Sequence, residues 1–166
     1  MNKLGTISLA AIFLLFSSRS FCQMASTVTI AEHCQTKKNN VAIFPANSRE
    51  LFYGNERFTP SKSDIETAEL ALINQLASIN TERHNQYDTP VIDKNLIKYK
   101  RQYFGYIDSK GNKILFINCF WKRDKEDERL WLNERIMVLD GGSYFWNIKF
   151  NLNTNELFDL DINGES

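Results

Sequence analysis

Histidine and cysteine are scarce in this 166-residue chain, with two and three copies. The two histidines, His33 and His84, lie far apart in sequence, so four tetrahedral ligands for a zinc ion are hard to assemble. Three cysteines are too few for a disulfide-stapled scaffold. An excess of either charge sign is missing as well: 20 basic residues balance 20 acidic ones. A nucleic-acid partner would need a basic footprint, and none is expected. The chain also lacks a Gly-rich phosphate loop, a nucleophile-elbow serine and a zinc-binding helix motif. No cofactor or metal is therefore expected, and the balance leans against an enzyme. Acids that meet only in three dimensions keep that question open.

What is present begins at the N-terminus. Met1 to Gln23 holds one early lysine, Lys3, an apolar run from Leu4 to Phe16, and a small and polar exit through Ser20 and Cys22. A run of about thirteen residues is too short to span a bilayer and fits a secretory signal peptide. Cys22 and Ser20 supply the small side chains one and three positions before a cut ahead of Gln23. The alternative is a lipoprotein anchored through Cys22. Phe21 and Arg19, just upstream, are poor residues for that processing. The expected address is periplasmic or secreted, in a Gram-negative cell. Cleavage at 1–22 removes Lys3 and Arg19, leaving 18 basic against 20 acidic residues, a net charge of −2 over 144 residues. No transmembrane span is expected once the signal is gone. That length suits one domain, burying about 68 to 70% of its extended surface.

Residues 23–40 read as a flexible lead-in and 41–166 as a single α+β domain. Val41 to Phe44, stopped by Pro45, suits an edge strand or extended arm. Ser63-Asp64-Ile65-Glu66 has the form of a capping box. Ile65, Ala68, Leu72, Leu76 and Ile79 then recur at helical spacing, with Leu70, Ile73 and Ala77 widening the stripe, to about Asn80. Thr81 to Asp93 is a polar surface connection. From Tyr99 the period becomes two: Tyr99, Arg101, Tyr103, Gly105 and Ile107 alternate with Lys100, Gln102, Phe104 and Tyr106. Asp108 to Asn112 turns the chain into Ile114 to Trp121. A third strand is expected near Glu134 to Leu139, a turn at Asp140-Gly141-Gly142-Ser143, and strands at Tyr144 to Leu152 and Leu157 to Ile162. Phe158, Leu160 and Ile162 are expected on the core side. The sum is one main helix on a curved antiparallel meander of four to five strands, cystatin-like in plan, with an NTF2-like cone as the alternative.

The run Tyr99 to Tyr106, the pair Asn118-Cys119, Asp140-Gly141-Gly142 and the closing Asp159 to Glu165 resemble small exported proteins of unknown function common in Bacteroidetes. The resemblance covers about the last 70 residues and implies export from a Gram-negative cell. It implies no activity and no site residues.

Several residues are site candidates on their own. Cys34 and Cys119 form a possible disulfide in an oxidising compartment, the alternative being two small buried apolar residues. His33 beside Cys34 suggests a thiol pair, and Glu82 with His84 an acid–base pair, against solvated polar residues. Asp159-Leu160-Asp161-Ile162-Asn163-Gly164 matches the opening of a calcium loop. It is better read as acids on the wet face of a final strand. Trp121 and Trp131 flank a charged run and, with Phe104 and Tyr106, form a possible interaction surface. The alternative tucks the tryptophans into the core and covers the other two with Val41 to Phe44. The function expected is a non-enzymatic binding or inhibitory module. The alternative is a small-ligand pocket, with or without hydrolytic chemistry. The partner is an unknown protein or small ligand outside the cytoplasm.

Overall fold

The computed structural model describes residues 32–36, 39–48, 56–121 and 130–164. They form β1 (Glu32–Thr36), β2 (Asn39–Phe44), β3 (Arg57–Phe58), α1 (Lys62–Ile79), β4 (Tyr99–Ile107), β5 (Lys113–Trp121), β6 (Phe145–Asn151) and β7 (Glu156–Ile162). The leader and residues 122–129 lie outside the described residues. No described helix is long and apolar enough to cross a membrane.

The helix starts two residues before the expected cap. Ser61 and Ser63 are each followed, three residues on, by an acid, and the earlier pair closes the box. The Asp64 amide donates to the Ser61 hydroxyl at 3.2 Å and the Ser61 amide to Asp64 Oδ2 at 2.8 Å. Ser63 then lies inside the first turn, its carbonyl accepting from the Thr67 hydroxyl. The apolar stripe is narrower than the spacing suggested. Ile65, Ala68, Leu72 and Leu76 are buried, whereas Leu70 and Ile73 are more than 60% exposed. Burial of each large aliphatic side chain in that stripe contributes about 1.5 to 3 kcal/mol.

The fold is α+β, but the sheet is mixed. Its order is β1-β2-β4-β5-β6-β7. β4 to β7 make the expected antiparallel meander, in a register that sets Tyr103 opposite Ile117 and Ile117 opposite Ile148. β2 runs parallel to β4, with α1 in the crossover between them. Parallel neighbours need such a long connection, and the α1 region supplies it. Pro45 ends β2 at Phe44, and the two residues of β3 continue along the same edge of β4, antiparallel, opposite Gly105 and Tyr106. Val41 to Phe44 is thus an interior strand. The sheet also reaches back into the expected lead-in, since Glu32–Thr36 pairs with β2.

Both faces of the sheet are packed. On one, Val41, Ile43, Tyr99, Tyr103, Leu115, Ile117, Trp146, Ile148 and Phe150 meet the helix stripe. On the other, Ala42, Phe44, Phe104, Tyr106, Ile114, Phe116 and Phe120 pack with Trp131, Leu132 and Ile136. The segment from Leu130 onward, expected to add a strand near Glu134 to Leu139, begins with one 3-10 turn at Leu130–Leu132 and lies over this second face.

β7 contains a bulge. Asn147 pairs with Asp161 and Lys149 with Phe158, so β7 spends one more residue than β6, and Asp159 takes a left-handed φ of 50°. The extra residue reverses the alternation. Leu160 and Ile162 pack toward the helix side, while Phe158, expected beside them, joins the opposite cluster. Gly141 and Gly142 turn the chain into β6 with φ of 101° and 54°, as the turn chemistry required.

Candidate functional site

The segment after Trp131 is held to the sheet by side chains instead of a backbone ladder. Gln102 and Asn118 face each other across β4 and β5. Gln102 Nε2 donates to the carbonyls of Trp131 at 2.6 Å and Glu134 at 2.7 Å, and its Oε1 accepts the Ile136 amide at 2.9 Å. Asn118 Nδ2 donates to Gln102 Oε1 at 2.9 Å and to the Ile136 carbonyl at 2.8 Å. Two amide side chains therefore do for residues 131–136 what a neighbouring strand would have done. Buried polar groups that are fully paired in this way fix one arrangement.

The next residues are fixed from the other end. Asn163, just past β7, donates from Nδ2 to the Val138 carbonyl at 2.5 Å and the Asp140 carbonyl at 3.3 Å. Asp140 bridges Gly164, and the Gly142 amide donates to the Gly164 carbonyl at 2.9 Å. Between these clamps Met137, Val138 and Leu139 point outward. Met137 is 69% and Leu139 98% exposed. An exposed run of three apolar residues on a fixed backbone has no use in holding the fold, and such runs mark contact surfaces.

Beside the tip, across the end of β7, lies an open groove of about 430 Å³ between Ile79, Leu160 and Ile162, rimmed by Glu82, Arg83, His84 and Asp161. Its wall is a loop built on a buried amide pair. Asn80 Nδ2 donates to Gln86 Oε1 at 3.0 Å, Gln86 Nε2 to Asn80 Oδ1 at 2.6 Å, and Asn80 Nδ2 also to Asp93 at 2.8 Å. Asn85 reaches from this loop to the Ile162 carbonyl at 3.2 Å. Arg83 and Asn85 both hold left-handed backbone, at φ of 51° and 54°. A second groove, of about 440 Å³, continues past Ile79 toward Asn112 and Phe158. Two of its polar side chains are engaged locally: Gln75 accepts the Leu157 amide and donates to the Asn155 carbonyl, and Asp108 caps the β4–β5 turn.

The aromatic residues weighed as a possible surface pack into the core. Phe104, Tyr106 and Trp131 are buried, and Phe44 stacks on Phe104 with ring centroids 4.3 Å apart. Trp121 is half-buried, edge-on to Tyr99 at 5.1 Å and Tyr144 at 5.5 Å. Val41 to Phe44 covers the sheet where the aromatic pair was open to docking. Cys119 is a buried free thiol, and burial raises its pKa strongly. Cys34, Val41, Arg101 and Cys119 form one row across four strands. Three strand spacings separate the cysteine backbones by about 14 Å, double the reach of a disulfide. The possible Cys34–Cys119 bond is not made in this fold, and Cys119 follows the alternative of a small buried residue. The side chains of His33 and Cys34 lie outside the described residues.

Glu82 and His84 do meet, at 2.5 Å, on an exposed loop. Asp159 pairs with Lys149 Nζ at 2.9 Å, which raises the lysine pKa, and Asp161 accepts from Asn147 at 3.0 Å. These acids lie on the wet side of the final strand.

One buried polar cluster went unnoticed in the sequence. Arg101, fully buried, lies 3.5 Å from Glu69 of α1, and its Nη2 donates to the Leu96 carbonyl at 2.7 Å. The Tyr103 hydroxyl donates to Glu69 at 2.6 Å, and burial followed by the neighbouring carboxylate raises its pKa. The signal was there: Arg101 occupies an inward position of an alternating strand, and Glu69 falls inside the helix stripe. This cluster joins helix to sheet, with Arg101 fully enclosed and only the Glu69 side chain reaching solvent. No family model, curated protein or solved structure matches the chain.

Proposed function

We propose that this chain is an exported, non-enzymatic binding or inhibitory module that meets its partner through the tip Met137–Leu139 and the groove beside it. The observation that carries this reading is the tip: three apolar side chains in water on a backbone fixed from both ends. A fixed loop has lost its conformational entropy before binding, so burial of Leu139 and Met137 goes into affinity with little ordering cost. A small-ligand pocket between helix and sheet finds less support, because Ile65, Ala68, Leu72 and Leu76 fill that space against the sheet. For the part from α1 to β7 we infer a cystatin-like plan, a helix laid over a hairpin-linked sheet, to which β1 and β2 add a mixed edge. Export rests on the leader-like N-terminus.

Immobilised protein incubated with periplasmic extract and culture medium tests the reading. Wild type should retain a defined partner that Leu139→Asp does not. Retention indifferent to Leu139→Asp, or a defined turnover activity, would remove it.

A further inference from the structure

The tip is tied to the end of β7 by one dipeptide, Asn163-Gly164. Asn163 Nδ2 donates to the Val138 and Asp140 carbonyls, and the Gly164 carbonyl accepts from the Gly142 amide at 2.9 Å. The glycine is not demanded by the fold. Each of the other described glycines has a backbone reason, a positive φ or close packing, whereas Gly164 has a negative φ and a β-carbon there would meet no atom within 4 Å. Its chemical consequence lies with its neighbour. Asn163-Gly164 is the only Asn-Gly pair in the chain, and a main-chain nitrogen with no β-carbon beside it is the least hindered nucleophile toward a preceding asparagine side chain. Asn163 is half-buried and Gly164 exposed, so water and hydroxide reach both.

We propose that Asn163-Gly164 is a site of spontaneous deamidation, and that the reaction releases the Met137–Leu139 tip from the end of β7. Hydroxide takes the proton of the Gly164 amide, and the nitrogen attacks Asn163 Cγ. The N–Cγ bond forms, the Cγ–Nδ2 bond breaks, and Nδ2 leaves as ammonia with a proton from water, which regenerates hydroxide. Water then opens the cyclic imide at either carbonyl, giving aspartate, or isoaspartate with the main chain routed through the side-chain carbons. Nothing is oxidised or reduced. Either product loses the clamp, because a carboxylate has no proton to donate to two carbonyls. Isoaspartate also lengthens the main chain ahead of Gly164, which shifts the carbonyl that holds the Gly142 amide. The site stands on the clamp and the dipeptide, whatever the tip touches.

Folded wild-type protein, held at physiological temperature in neutral and in mildly alkaline buffer and followed by peptide mass spectrometry, tests this. Residue 163 should gain the mass of O replacing NH, faster in alkali. Gly164→Ala, whose methyl has open space, should keep the wild-type Tm and slow conversion about tenfold or more, a barrier change of about 1.4 kcal/mol. Asn163→Asp, one of the two products, should speed hydrogen exchange at the Gly142 amide about tenfold, the effect of losing the two bonds that hold this corner. An Asn163 that stays intact in the folded protein yet converts once urea unfolds it would overturn the proposal. So would conversion indifferent to Gly164→Ala, or wild-type exchange at Gly142 in Asn163→Asp. None of these outcomes bears on the tip as a contact surface, which partner retention by Leu139→Asp tests separately.

Discussion

Removing Glu69 should destabilise this protein more than removing any other single surface-reachable acid, because of what it leaves behind. Arg101 is fully buried, and its Nε and Nη1 have no hydrogen-bond partner, so the 3.5 Å contact with Glu69 is Coulombic attraction without hydrogen-bond geometry. Only Nη2 is bonded, to the Leu96 carbonyl. Glu69→Ala takes away the countercharge and also the acceptor of the Tyr103 hydroxyl. An uncompensated buried charge costs about 3 to 5 kcal/mol, and the orphaned hydroxyl adds about 1. Against a total stability of about 5 to 15 kcal/mol, the variant would be marginal. At roughly 3 to 4 °C per kcal/mol for a domain of this size, Tm should fall by about 12 to 24 °C. The control is Glu69→Leu with Arg101→Met. If the pair is an under-satisfied ionic contact, replacing both partners should be neutral or stabilising by about 1 to 4 kcal/mol, less about 1 kcal/mol for the Tyr103 hydroxyl, which loses its acceptor in both variants. Urea denaturation of both variants, with unchanged m-values, reads this directly. A Glu69→Ala loss below about 1 kcal/mol, or a double variant as damaged as the single, would refute the reasoning.

Other consequences follow from the same packing. Gln102→Ala removes the acceptor of the Ile136 amide and the donor to two carbonyls; it should cost about 1 to 3 kcal/mol and speed hydrogen exchange at Ile136. Gly105→Ala places a methyl 2.5 Å from the Phe58 carbonyl and 2.9 Å from its ring; it should displace β3 and cost about 1 to 3 kcal/mol, read as lost protection at the Ile107 amide, which bonds Glu56. In alkali, Cys119, Tyr99 and Tyr103 keep their protons in the fold because burial raises all three. The unfolded chain releases them near about 8.5 and 10, so the stability they contribute is complete below those values and lost as pH rises past them. A stability curve that stays flat from pH 8 to 11 would contradict this. In acid the sign reverses at Asp108, whose pKa is lowered by hydrogen bonds from Asn112 and Lys110. Exchange at the Lys110 and Asn112 amides should quicken as pH falls through the carboxylate range.

Helix α1 and strands β4 to β7 were legible because their signals are local. A capping motif, three- and four-residue spacing and strict alternation each act within one element. Ser61 and Ser63 show the limit of that legibility, since two caps of similar quality differ only in which pair closes. The place of β2 was not legible. Val41 to Phe44 reads alike as an edge or an interior strand, and only its pairing on both sides, with β1 and with Arg101 to Phe104 of β4, decides. Phe158 was misplaced for a physical reason: alternation assumes an unbroken ladder, and the Asp159 bulge shifts the phase by one residue. The tip was missed because Met137, Val138 and Leu139 look like a strand. They do not pair as one because Gln102 and Asn118 already occupy the backbone groups upstream. Fixed in a loop, the three side chains have no second face to hide against.

The central claim is that this fixed apolar tip is the contact surface, and Leu139→Asp tests it most directly. The variant should unfold at the wild-type temperature and urea concentration yet lose partner retention on the immobilised protein. Wild-type retention by a folded Leu139→Asp protein would contradict the account.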